Sequence, residues 1–193
     1  MARATPPPAR DAAIRAQGLD SGARRTGSSP DTIVAVTVAI QQLMWEIERL
    51  RDAFHEAVYV RRDVSAALEV AREDCSLVNT PVGTGTEKAG DLRRYLADDV
   101  LPHLPDDLAF RRVSRTVDKF RVVEESIVRF THDRELPWLL PGAAPTHRRA
   151  EVVAISITTF THSRVNAHRT RSLMAASRTL WDHVTLVAQL GAR

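Results

Sequence analysis

A regular spacing of apolar residues constrains the fold of this chain more than any other feature of its sequence. From Val36 to Val78, apolar side chains recur at alternating steps of four and three residues, broken only at Arg61. This spacing puts them on one stripe of an α-helix, as in coiled coils. The stripe, called the seam below, consists of Val36, Ile40, Leu43, Ile47, Leu50, Phe54, Ala57, Arg61, Val64, Leu68, Ala71, Cys75 and Val78. It predicts one long amphipathic helix over residues 31–79.

Proline and glycine divide the rest of the chain into shorter segments. Pro and Gly residues interrupt the sequence over residues 80–85 and again over 136–145, and such residues are typical of loops. Apolar residues between and after these breaks recur at helical intervals. The sequence therefore predicts three further helices, at residues 87–101, 105–135 and 146–190.

The beginning of the last predicted helix is ambiguous. Residues 152–159 are rich in β-branched side chains, which also suit a strand. Helix is the preferred interpretation because Val153, Ile157 and Phe160 keep helical spacing. We therefore predict an all-α bundle of long amphipathic helices, with residues 31–193 forming a single helical domain.

The first 30 residues have a different composition. They mix Pro, Gly, Ser and Arg, and they lack apolar periodicity. A segment of this kind buries too little apolar surface to offset the entropy lost on ordering. We predict a disordered basic tail over residues 1–30, followed by a helix start at Pro30 with Ser29 as its N-cap.

Cysteine count and hydropathy exclude several classes of protein. Cys75 is the only cysteine, so one chain can form neither an internal disulfide nor a multi-cysteine zinc site. This favours the cytoplasm or another reducing intracellular compartment. The longest apolar run, residues 33–40, is far shorter than the roughly 20 residues of a spanning helix, so we expect no membrane partner.

Asp52 and His55 form one carboxylate–histidine pair where a two-metal bundle site needs two, and neither a metal nor a cofactor is predicted.

Basic residues are concentrated in the last predicted helix. Between Val152 and Trp181 there is no acidic residue. Four basic residues there recur at steps of four, three and seven, which places them on one helical face. These residues, called the basic face below, are Arg164, His168, Arg171 and Arg178. Such a face can track a phosphate backbone; the alternative is pairing with acids of the first helix, such as Glu48, Asp52 and Glu56.

A short motif offers a catalytic alternative. The segment from Arg178 to His183 reads R-x-x-x-x-H, a form that resembles the motif of HEPN-type ribonucleases. The resemblance implies an all-helical, often dimeric enzyme in which Arg178 and His183 would combine to cleave RNA. It covers this hexapeptide and the helical character only. Thr179 follows the arginine where that family usually has a polar residue such as Asn.

Taken together, these features favour a non-enzymatic protein that self-associates. We predict a homo-oligomeric assembly or adaptor component, with a coat-like or nucleoprotein-like role included, whose basic face contacts RNA or DNA. The alternatives are a HEPN-like ribonuclease and a purely structural coiled-coil adaptor. No small-molecule substrate is indicated. The residues predicted to form the interface between copies are Ile40, Leu43, Ile47, Leu50, Phe54, Arg61 and Leu68.

Overall fold

A computed structural model describes residues 30–86, 90–166 and 169–192, in which helices pack on one face of a six-stranded sheet. The helices are α1 (Pro30–His55), α2 (Val64–Glu69), α3 (Leu92–Arg94) and α4 (His183–Leu190). π-helical turns extend α1 over Glu56–Val60 and α3 over Tyr95–Val100, and a 3₁₀ turn follows at Leu101–His103. The strands are β1 (Ala71–Thr80), β2 (Thr84–Gly85), β3 (Ala109–Val117), β4 (Arg121–Thr131), β5 (Arg149–Asn166) and β6 (Arg169–Trp181).

The sheet has a mixed topology. Its strand order is β2-β1-β6-β5-β4-β3, and β1 runs parallel to β6 while the other neighbouring pairs are antiparallel. A parallel neighbour needs a long crossover connection, and the segment from β2 to β5 supplies it. The first and the last long strand of the chain therefore lie side by side.

The prediction of an all-α bundle is wrong, because most of residues 109–181 form strands. In β5, the side chains at 152, 154, 156, 158 and 160 are buried, whereas Val153 and Ile155 are each 38% exposed. This alternation has the period of two that defines a half-buried strand. Val153, Ile157 and Phe160 keep helical spacing within this strand, so their spacing did not discriminate between helix and strand. Pairing with the neighbouring strands β4 and β6 overrides this local helical spacing.

The seam does not form a coiled coil. α1 ends at His55, the chain turns before Asp63 caps α2, and residues 71–80 belong to β1. Within α1, Ile47 is fully buried and Phe54 is 6% exposed, because this half of the helix packs on the sheet. Arg61 lies in the turn after the helix and is exposed, and Leu68 is half-buried in α2. Leu43 and Leu50 are half-buried, and Ile40 is 37% exposed.

The predicted tail lies outside the described residues, except for Pro30, where α1 begins. No helix in the described part of the chain is long and apolar enough to cross a membrane.

Candidate functional site

A cavity of about 40 Å³ lies between the helices and the sheet. It is bounded by α1, by both π-helical turns, and by β1 and β6. Its apolar wall is formed by Phe54, Val58, Leu77, Leu96, Val100 and Trp138. Its polar groups come from Arg51, Tyr59, Asn79, Tyr95, Ser177 and Thr179. An apolar wall with a few converging polar groups is the composition of a ligand site.

Both π-helical turns contribute to the wall of the cavity. Val58 and Tyr59 come from the first turn, and Tyr95, Leu96 and Val100 come from the second. π-Helical turns are rare and are found frequently at functional sites. Their joint presence here supports a functional role for the cavity.

A row of polar residues crosses the sheet beside the cavity. One residue from each of the six strands takes part, and each is in register with the next. The row, called the polar row below, runs Thr84, Asn79, Thr179, Ser156, Glu124 and Arg115. Asn79 and Thr179 line the cavity, whereas Glu124, which does not line it, is 6% exposed. Buried polar groups are costly unless they are hydrogen-bonded, so the row requires partners from the helices or a ligand.

Hydrogen bonds fix the cavity end of the polar row. Trp181 Nε1 donates to Asn79 Oδ1 at 2.9 Å, and Asn79 Nδ2 donates to Tyr95 Oη at 3.0 Å. An indole N–H can only donate, so the amide oxygen of Asn79 must face Trp181. Burial raises the pKa of Tyr95, which keeps its phenol protonated. The hydroxyl of Tyr95 is therefore a neutral, oriented polar group.

Arg51 lies over the middle of the polar row. It is 8% exposed, and its Nη2 lies 3.4 Å from Ser156 Oγ and 3.6 Å from Glu124 Oε1. Glu124 Oε2 accepts a 2.9 Å hydrogen bond from Arg115 Nε. Burial alone would raise the pKa of Glu124, but the charges of Arg51 and Arg115 and the Arg115 hydrogen bond lower it overall. Glu124 is therefore ionised at neutral pH.

His55 lies one turn after Arg51 on α1. Its ring packs against Phe110 at 4.8 Å and Tyr59 at 5.0 Å between centroids. Burial, helped by the charge of Arg51, lowers the pKa of His55 from 6.5 to about 4. His55 is therefore neutral at physiological pH and adds no charge beside Arg51 and Glu124.

We expect His55 to destabilise the fold in mild acid. Its pKa is lower in the folded chain than in the unfolded one. Titration of His55 therefore leaves the free energy of unfolding unchanged above pH 6.5 and lowers it progressively as the pH falls towards 4. The loss at pH 4 should approach 3 kcal/mol, at about 1.4 kcal/mol per pKa unit. Denaturant unfolding between pH 7 and pH 4 measures it, and His55→Phe should flatten the dependence. An equally steep curve in the variant would contradict the assignment.

Two buried donors at the cavity have no hydrogen-bond partner in the described part of the chain. They are Nε of Arg51 and Nε1 of Trp138, and both residues line the cavity. Buried donors are almost always paired with protein, water or ligand. The described lining residues include no carboxylate and no imidazole. The site can thus bind acceptor oxygens or polarise a carbonyl group, but its lining supplies no ordinary general base.

The basic face does not exist as one row. Arg164 lies on β5, Arg171 and Arg178 lie on β6, and His168 lies outside the described residues. Seven strand residues separate Arg171 from Arg178 by roughly 23 Å, about twice the helical spacing. The function predicted from a helical face, a helical adaptor that contacts RNA or DNA, is wrong because its geometry required a helix.

The ribonuclease alternative fails for a similar reason. Arg178 lies in a strand opposite Ile157, and His183 is the first residue of α4. The resemblance implied an arginine and a histidine on one helix of an all-helical enzyme. That helix is absent from this part of the structure, so the HEPN interpretation is wrong.

Of the residues that form the cavity, sequence reasoning selected only Phe54 as a site residue, and it assigned that residue to an interface between copies. The strongest overlooked signal is Arg51, which precedes Phe54 and Val58 at helical steps of three and seven and therefore shares their buried side. A charge on an apolar face indicates a partner or a site. Asn79, Thr179 and Tyr95 carried no comparable signal, because the sheet register brings them together.

Comparison with known proteins identifies the fold. The sequence matches no protein-family model and no curated protein. A proposed SnoaL-like polyketide cyclase from Jannaschia sp. CCS1 superposes with a TM-score of 0.58 at 16% identity, covering 80% of this chain and 94% of that one. AclR, a proposed hydroxylase from Streptomyces galilaeus, gives 0.55 at 18% identity, covering 77% and 82%. At this identity the likeness establishes that this chain shares the fold of these two proteins, and nothing beyond the fold.

A third structural neighbour contains a small molecule. It is a hypothetical protein with a ketosteroid isomerase-like fold from Catenulispora acidiphila, in complex with trimethylamine. Its TM-score is 0.51 at 12% identity, and the match covers 75% of this chain and 93% of that one. The predictions of RNA or DNA as a partner and of no small-molecule substrate belonged to a helical adaptor, and the fold that this chain shares with these neighbours overturns them.

Proposed function

We propose that this protein binds a small, largely apolar organic molecule in the cavity between α1 and the sheet. The observation that carries the proposal is the cavity itself, where an apolar wall meets the polar row. The neighbours described as a proposed cyclase and a proposed hydroxylase support a small organic molecule as the kind of ligand. A reducing intracellular compartment stays a prediction, made from the single cysteine.

The size of the cavity bears on how a ligand would enter. A volume of about 40 Å³ accommodates a few water molecules. Ligand pockets usually measure about 300–1,000 Å³. Entry would therefore require the side chains of the two π-helical turns to move, and Tyr59 is only half-buried at one of them.

A binding role is favoured over proton-transfer catalysis. Proton abstraction needs a base within hydrogen-bonding reach of the substrate. The described lining residues offer the hydroxyls of Tyr59 and Tyr95, and burial raises the pKa of both, which makes them donors. The site would hold a carbonyl or carboxylate oxygen, and its residues would orient that oxygen.

Filling the cavity should weaken binding. Val58 is 1% exposed and lines the cavity, whereas Val60 is 62% exposed in the same π-helical turn. We expect Val58→Phe to reduce binding of small aromatic probes by about tenfold or more, because the added ring occupies the ligand volume. The probes are phenol, benzamide, benzoate and cyclohexanone, at millimolar concentration and followed by NMR.

The matched control is Val60→Phe, which adds the same ring at the surface and should leave binding unchanged. Circular dichroism of both variants reports folding. The proposal would be wrong if the parent protein binds none of the probes, or if Val58→Phe binds them as tightly as Val60→Phe.

A further inference from the structure

Arg51 is a buried charge whose compensation is incomplete. Its nearest carboxylate oxygen, Glu124 Oε1, is 3.6 Å away, beyond the usual range of an N–H···O hydrogen bond. Its contact with Ser156 is long, at 3.4 Å, and its Nε has no partner in the described part of the chain. A buried guanidinium normally makes several short hydrogen bonds, so this one retains capacity for another acceptor.

Glu124 is committed mainly to another residue. Besides the 2.9 Å bond from Arg115 Nε, its Oε2 lies 2.5 Å from Arg115 Nη2. The side chains of Arg51, Arg115 and Glu124 are only 10%, 12% and 8% exposed. This buried layer therefore contains two positive charges and one negative charge. Outside that layer, Asp52 and Glu48 also pair with Arg115, from side chains that are 57% and 36% exposed.

The unbalanced charge lies next to the cavity. Ser156, under Arg51, is in register with Thr179, and Thr179 lines the cavity together with Arg51 itself. His55 is neutral at physiological pH and supplies no compensating charge. The described lining residues contain no carboxylate. A negative group in the cavity would thus be the missing partner of Arg51.

From this arrangement we infer that the ligand of the cavity is an organic acid, with an apolar body and an ionised oxygen group that Arg51 binds. This inference rests on the proposed function and specifies its ligand class. Phe54, Val58 and Leu96 would contact the apolar body. The charge of the ligand would complete the buried layer, and the buried indole N–H of Trp138 offers a second donor to an acceptor oxygen.

A pair of probes that differ in charge tests the inference. Benzoate and benzamide have nearly the same shape, and benzoate is fully ionised at pH 7 because its carboxyl group titrates near pH 4, about where protein carboxyls do. We expect calorimetry to show benzoate binding tighter than benzamide by about tenfold or more, since charge-assisted hydrogen bonds are stronger. Equal or tighter binding of benzamide would overturn the organic-acid inference and leave the proposed function standing. Binding that survives in Val58→Phe would overturn both.

Variants of Arg51 assign the preference to its guanidinium. In Arg51→Gln we expect benzoate and benzamide affinities to agree within about twofold, and in Arg51→Lys part of the preference should remain. Arg129→Gln is the control, because Arg129 is exposed on β4 and pairs with Glu151 away from the cavity. It should keep the full preference. A preference retained in Arg51→Gln would overturn the inference; should that variant fail to fold, the Arg51→Lys result and the parent's probe ratio decide.

Discussion

Glu124→Gln will lower the free energy of unfolding by about 3–5 kcal/mol, the usual cost of removing one partner from a buried ion pair. Glu124 is 6% exposed and is the carboxylate that Arg51 and Arg115 share. Glutamine has nearly the same shape but no charge, so two buried guanidinium groups would remain without their counter-ion. Asp52 would compensate Arg115 in part, from its more exposed position.

Denaturant unfolding at pH 7 measures this loss. The matched control is Glu151→Gln, because Glu151 pairs with Arg129 at a site where both side chains are at least half exposed. An exposed pair contributes about 1 kcal/mol or less. The pKa of Glu124 is lowered in the fold, so its contribution to stability is complete above pH 4.5 and is lost as the pH falls below that value. The free energies of unfolding of the parent protein and Glu124→Gln should therefore converge in acid. Similar losses in Glu124→Gln and Glu151→Gln at pH 7 would contradict the buried layer.

The second large effect is expected at Ile47 in the seam. Ile47 is fully buried between α1 and the sheet. Ile47→Asp would place an unpaired carboxylate in the core and remove the packing of a large side chain, so we expect a loss above about 4 kcal/mol. Thermal unfolding followed by circular dichroism would show a chain that is unfolded or close to its midpoint at 25 °C.

Val36→Asp separates the two halves of the seam. Val36 belongs to the same apolar stripe but is 53% exposed, where α1 carries further exposed apolar residues. A surface substitution usually changes stability by about 0.5 kcal/mol or less. If Val36→Asp costs as much as Ile47→Asp, the exposed half of the seam must be covered in solution, and the packing described for α1 would be incomplete.

The sequence identified α1 but not what covers it. Apolar spacing from Val36 to Ala57 correctly indicated a helix with one apolar face, and Pro30 is its first residue. The same spacing beyond Asp63 was misleading, because α2 and β1 follow a turn there. Periodicity reports which side of a helix is buried, but it carries no information on whether the covering surface is another helix or a sheet.

The candidate site shows a sharper division. Arg51 could have been recognised from its position between apolar neighbours on α1, since a charge on a buried face requires a partner. Its partners could not, because Glu124 and Ser156 lie more than 70 residues away in the chain and face Arg51 only through strand pairing.

The sequence by itself therefore determined that α1 is a helix with one apolar face, since local apolar spacing suffices for this. Tertiary structure alone decided that most of residues 109–181 form strands, because a strand makes its backbone hydrogen bonds with another segment of the chain and not within itself. It also decided that one residue from each strand forms the polar row. Strand register sets which side chains are neighbours, and a shift by one residue would turn that row to the other face of the sheet.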